Sequence, residues 1–125
     1  MPPNKRVIKG LGEIALRVEN LDRSQEFYEN VIGLELMRRS DDAAFFRIAN
    51  GVEGHTQILA LFDRSKMKEY TGLDSKKSTV DHIAFGISKT DYESEKKRLE
   101  GLGFEVRTAE HAWVNWRSLY VNDPD

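Results

Sequence analysis

The stretch Glu13–Asp22, EIALRVENLD, returns 69 positions later as His82–Asp91, HIAFGISKTD. Ile14 meets Ile83, Ala15 meets Ala84, Asp22 meets Asp91 and, further on, Glu26 meets Glu95. After a one-residue slip, IGLEL (Ile32 to Leu36) meets LGFEV (Leu102 to Val106), with Gly33 on Gly103 and Glu35 on Glu105. About half the chain is therefore an internal duplication, and a repeat of this kind outranks any local pattern as a guide to architecture.

Each copy reads in the same order. Ile14, Leu16 and Val18 alternate with Glu13, Ala15 and Arg17, and Ile83, Phe85 and Ile87 alternate with His82, Ala84 and Gly86; a period of two marks a half-buried strand. Asp22 with Gln25, and Thr90 with Glu93, have the spacing of capping boxes, so helices are expected near 22–32 and 91–101. Phe27 with Val31 and Tyr28 with Ile32 would form the apolar side of the first, and Tyr92, Leu99 and Leu102 that of the second. Gly33 and Gly103 supply the left-handed residue that ends a helix. LELMRR, AFFRI and HTQILALFD then read as strands in the first copy, and FEVRTA and NWRSLYV in the second. The unit is a strand, a helix and two or three strands. Module one is expected at about 9–64 and module two at about 79–125, with a solvated linker over 65–78, all within a single domain.

Composition narrows the function classes. A chain of 125 residues has the length of one ordinary domain, and 39% hydrophobic with 32% charged residues fits a soluble globular protein. Nineteen Lys and Arg against 21 Asp and Glu leave a formal charge of −2, so no nucleic-acid partner is expected. No apolar run reaches the ~20 residues of a membrane span, and MPPNKRVIKG lacks the apolar core of a signal peptide; no membrane partner and a cytoplasmic location are expected. The absence of cysteine removes disulfides, thiolate metal sites and a Cys nucleophile, so any metal must use N and O ligands. Motifs of the GxxxxGK[ST], GxGxxG and GxSxG types are absent, which leaves nucleotide binding and serine hydrolysis without local support.

Strand parity directs attention to one face. If the large aliphatic residues of each first strand pack beneath a helix, Glu13, Ala15 and Arg17, like His82, Ala84 and Gly86, look the other way. Small residues there leave room and the ionisable ones supply chemistry, so Glu13 and His82 are expected in one concave site. The plain alternative is a solvent-wetted face.

The repeated unit, the segment GEIALRVENLDRSQEFYENVIGLEL and the closing RSLYVNDPD resemble the vicinal oxygen chelate superfamily, the glyoxalase, bleomycin-resistance and extradiol dioxygenase group. The resemblance runs from Leu11 onward. It implies an α+β fold of two βαβββ modules forming a curved mixed sheet around a cavity. It also implies metal ligands, here Glu13 and His82, where the family usually places His or Gln and His respectively. A third family ligand falls at or near Ala60, in ILALFD, which has no donor. A fourth, a Glu, lies beyond the DPDG-like turn and so past Asp125, as does the second module's closing strand. Two donors imply weak binding of a divalent ion (Fe, Mn, Ni or Zn) or none, unless His111 folds inward as a third. Association as a homodimer is expected from the sheet edge that lacks its closing strand.

Other residues carry two readings each. His111 is a proton carrier or an exposed loop histidine; Trp113 and Trp116 wall a pocket or pack a sheet edge; Tyr120 reaches the cavity or fills the core; His55, after two glycines, is structural or solvated. Arg17 on the inward face needs an anion, and Glu13 lies ~13 Å away along an extended strand, so a substrate carboxylate is the candidate. Arg17, Phe62, Trp113 and Tyr120 are thus the candidate substrate contacts, and Glu13 and His111 the candidate catalytic groups. Two functions stay open: a metal-assisted enzyme of the glyoxalase or dioxygenase type that chelates vicinal substrate oxygens, and a metal-free binding protein of the resistance type that sequesters a small molecule. The second would use an apolar lining of Ala15, Ile58, Ala60, Phe62, Ala84 and the tryptophans.

Overall fold

The computed structural model describes residues 6–66, 80–113 and 116–125, with Trp116 described for its backbone only. Most of the expected linker, from 67 onward, lies outside the described residues. The chain forms two compact units, Met1–Gly72 and Leu73–Asp125.

In the first unit, the alternating segment becomes strand β1 (Glu13–Val18). Helix α1 (Leu21–Glu26) follows and passes directly into a π-helical turn, Phe27–Ile32. Strands β2 (Glu35–Arg39), β3 (Ala43–Asn50) and β4 (Thr56–Asp63) complete a mixed sheet of order β1-β4-β3-β2. β1 runs parallel to β4, while β3 is antiparallel to both β4 and β2. The expected helix at 22–32 is thus found with a change of winding at Phe27. In the wider turn the consecutive rings Phe27 and Tyr28 are both buried, edge to face at 5.1 Å, and Tyr28 lies 6.3 Å from Phe46 on the sheet.

The cap differs from the expected capping box. Asn20, in an extended conformation, accepts from the Arg23 amide through Oδ1 at 3.0 Å. Asp22, already one residue inside the helix, accepts from Arg39 Nη1 at 2.8 Å, and Gln25 Oε1 accepts from the same nitrogen at 2.6 Å. The two polar residues therefore tie α1 to β2 rather than capping it. Such an exposed tie is worth ~1 kcal/mol or less. Burial of Phe46, Leu59 and Leu61, each fully enclosed under α1, is worth ~1.5–3 kcal/mol per side chain and dominates the unit.

Gly33 closes the π turn with φ +92°, and the amides of Gly33 and Leu34 both donate to the Tyr28 carbonyl. Its repeat partner Gly103 has φ +93°, with its amide on Glu100 O and that of Phe104 on Leu99 O. A Cβ would meet nothing at either position, so it is the left-handed backbone that calls for glycine.

In the second unit a single 3-10 turn (Lys89–Asp91) leads into helix α2 (Tyr92–Gly101), and strands β5 (Arg107–His111) and β6 (Trp116–Tyr120) form an antiparallel hairpin. Asp91 is the N-cap, without a side-chain capping bond, so the Thr90–Glu93 pair does not form a capping box. Residues 82–87, expected as the second module's first strand, make no sheet ladder. The physical difference lies in partners: β1 obtains its ladder from β4, the third strand after its helix, and the described residues of the second unit supply only two strands there. Its alternation persists only in part: Ile83 and Phe85 are half-buried and His82, Ala84 and Gly86 exposed, but Ile87, expected on the inward side with the first two, is exposed as well.

Candidate functional site

The sheet of the first unit has two unlike faces. Ile14, Leu16, Leu59, Leu61, Phe46 and Ala44 look toward α1, whereas Glu13, Ala15 and Arg17 look away and are exposed, as strand parity requires. Register then sets the neighbours on that outward face. Glu13 is opposite Ile58, which is opposite Arg47, which is opposite Glu35; Ala15 is opposite Ala60 and then Phe45; Arg17 is opposite Phe62 and then Ala43.

Phe62 and Phe45 stand edge to face at 5.9 Å, so the face offers an aromatic pair beside the guanidinium-bearing strand position of Arg17. Among the described residues Arg17 has no ion pair, while Arg47 lies 3.8 Å from the Glu35 carboxylate and donates to Asn50 Oδ1. Ala60 is fully buried and contributes only a methyl group. Arg47 and Phe45 escaped the sequence reading. Their period-two spacing from Ala43 was visible, but their place beside Ile58 and Ala60 depends on the β3–β4 register.

The second unit gathers a different set. His82 Nδ1 lies 2.7 Å from Asp81 Oδ2, and its ring meets that of Tyr120 edge-on, with centroids 6.1 Å apart at 83°. His111 is half-buried at the end of β5, where Nε2 lies 2.9 Å from Ser118 Oγ. The loop position expected for His111 is therefore corrected to a strand end, paired with Trp116; the loop proper holds Trp113, which is 84% exposed. Ser118 and Tyr120 are two apart on β6, so the residues contacted by His111 and His82 share one face of the hairpin. The opposite face meets α2: Arg117 stacks over Tyr92 with 4.0 Å to the ring centre and lies 3.9 Å from Glu93. His55, exposed, closes the turn after Val52 through its amide.

The donor types suit a divalent ion that accepts nitrogen and oxygen. His82 has Nδ1 engaged by a carboxylate and, among the described residues, no partner on Nε2; Glu13 offers an exposed carboxylate without a partner there. Neither unit by itself brings together three His, Asp or Glu side chains among its described residues. On α2 two groups have clearly shifted acidity. The Arg98 hydrogen bonds hold the Glu95 carboxyl below its usual value, and Glu95 in turn raises Arg98.

Comparison with known proteins gives this geometry a context. The chain is 29% identical over 128 residues to the metallothiol transferase FosB of Staphylococcus haemolyticus, a match covering 95% of this chain and 79% of the relative. It is 32% identical over 104 residues to the manganese-dependent 2,3-dihydroxybiphenyl 1,2-dioxygenase of Geobacillus genomosp. 3, where it covers 82% of this chain but 29% of that much longer protein. The crystal structure of the integron cassette protein HFX_CASS4, from the mobile metagenome of the Halifax Harbour sewage outfall, superposes with a TM-score of 0.70 at 29% identity, covering 94% of this chain and 91% of the other. No described helix is long and apolar enough to cross a membrane. With its family profile matched across residues 10–125, the chain belongs to the Glyoxalase/Bleomycin resistance protein/Dioxygenase superfamily.

Proposed function

We propose that the protein is a small-molecule enzyme of the vicinal oxygen chelate type, a single glyoxalase-like domain that works as a homodimer in the cytoplasm. The observation that carries the reading is His82: exposed, at the head of the outward row His82, Ala84 and Gly86, with Nε2 unengaged among the described residues. In this reading His82 Nε2 and the Glu13 carboxylate are the protein's metal donors. Their pairing rests on their equivalent positions in the repeat. A divalent ion, when bound, supplies Lewis acidity to two adjacent substrate oxygens and stabilises the negative charge that develops there.

The protein's own groups do the rest. Arg17 holds an anionic substituent of the substrate, and Phe62, with Trp113, covers its apolar part. His111 moves a proton at Nε2, relayed through the Ser118 hydroxyl, and Tyr120 offers a phenol beside His82. Glu13, where it is not holding a metal, is a second proton acceptor.

A second reading has its own support. Ala60 contributes no donor, and Ala15, Ile58, Ala60 and Phe62 give the outward face of the first unit an apolar centre suited to holding a small molecule without a metal. Metal analysis of the purified protein, followed by calorimetric titration of Mn, Fe, Ni and Zn, separates the two. Manganese comes first, since one relative depends on it by name. The expected result is weak, reversible uptake that falls tenfold or more in both His82→Ala and Glu13→Ala, the loss of one ligand from a small set. A drop in His111→Ala as well would make that residue a third donor. Tight binding indifferent to His82→Ala overturns the donor assignment, and no uptake of any of the four ions decides for the metal-free reading.

A further inference from the structure

We propose that Asp81 is the positioning residue for His82: its carboxylate holds the imidazole protonated on Nδ1 and so presents the Nε2 lone pair outward. The proposal deepens the metal-assisted reading, on which it rests only for the use made of that lone pair. A carboxylate at neutral pH has no proton to donate, so the 2.7 Å contact between Asp81 Oδ2 and His82 Nδ1 requires the hydrogen to sit on the ring nitrogen. A neutral imidazole has one N–H, which leaves Nε2 as the acceptor. Metal-binding histidines use this arrangement generally: the second nitrogen, anchored to a carboxylate, sets tautomer and ring direction.

Three further features bear on the assignment. The ring that Asp81 anchors also meets Tyr120 edge-on. The Asp81 side chain is 95% exposed and makes no other hydrogen bond or ion pair among the described residues, so its removal should leave the fold intact. His111 provides an internal contrast. Its partner, the Ser118 hydroxyl, can donate or accept, so that contact dictates no tautomer.

The experiment is nitrogen-15 NMR of the imidazole rings in the metal-free, full-length protein at about pH 9, where an ordinary histidine is neutral. The His82 signals are identified by their loss in His82→Gln. In the wild type His82 should be mainly the Nδ1–H tautomer. Asp81→Ala should lower the ratio of Nδ1–H to Nε2–H by about threefold or more, the size expected of a solvent-screened charged hydrogen bond. Asp81→Asn, whose amide oxygen can still accept, should retain part of the preference, and the signals of His55 and His111 should not move. A wild-type His82 that is mainly Nε2–H, or a ratio unmoved by Asp81→Ala, overturns the proposal. The metal titrations fail independently. A shifted tautomer without metal uptake leaves Asp81 its role and removes the metal reading. Uptake lost in His82→Ala with the tautomer unmoved in Asp81→Ala removes only the role of Asp81.

Discussion

Arg98 donates from Nε and Nη2 to the two oxygens of Glu95, at 3.0 and 2.8 Å, across one turn of α2. Those hydrogen bonds are the largest cause of the lowered Glu95 pKa; partial burial opposes them, and the nearby positive charge adds to them. Because the folded value lies below the usual 4.5, the pair's contribution to stability is fully present above about that pH and is lost as the pH falls through the folded value. The side chains are 34% and 36% exposed, which limits the contribution to ~0.3–0.5 kcal/mol. Glu95→Gln should therefore lower the urea midpoint slightly at pH 7 and match the wild type near pH 2. A deficit of equal size at both pH values would mean that the charge is not its source. At this scale the sequence was only partly legible. Asn20 and Asp22 are equally good caps by type, and the extended backbone at Asn20 decides between them.

Helix ends were legible because a left-handed residue has few candidates. Gly33 and Gly103 sit 70 positions apart with nearly identical φ, so at these two helix ends the duplication holds in the backbone as well as in the letters. Alanine at either position should cost ~1–2 kcal/mol, the penalty for a Cβ in a left-handed conformation, although nothing nearby would clash with it. Thermal unfolding of the two variants should show similar losses. A neutral Gly33→Ala would mean that the turn at 33 relaxes to another backbone without cost. The extent of the elements was harder to read. The π turn from Phe27 buries two consecutive rings, an arrangement that helical periodicity does not anticipate. The segment at 82–87 alternates from His82 to Gly86 but has no ladder, because alternation reports a half-buried face and says nothing about a hydrogen-bonding partner.

For the molecule as a whole, repeat and parity made the α+β class readable, and they singled out the outward row on β1. Cross-strand register was out of reach, and with it the place of Arg47 and Phe45 on that row, since pairing between strands distant in sequence leaves no local trace. The sheet order ends in β2 and β1. β2 carries a bulge near Met37 and the charged pair Arg38 and Arg39, features that discourage pairing, whereas β1 is regular and has a single neighbour in its own unit. Light scattering at micromolar concentration should accordingly give about twice the 14.4 kDa chain mass. A single-chain mass would count against the homodimer.

The parallel pairing of β1 with β4 also bears on how such a protein can change over generations. Each residue of β1 lies opposite the residue 45 positions later, from Glu13 beside Ile58 to Val18 beside Asp63, without a slip. The ladder, and not the count of residues between the strands, decides which side chains stand together. Insertions or deletions in the turns at 40–42 and 51–55 can therefore accumulate while Glu13, Ala15 and Arg17 keep the same neighbours, which frees the loops to vary around an unaltered floor.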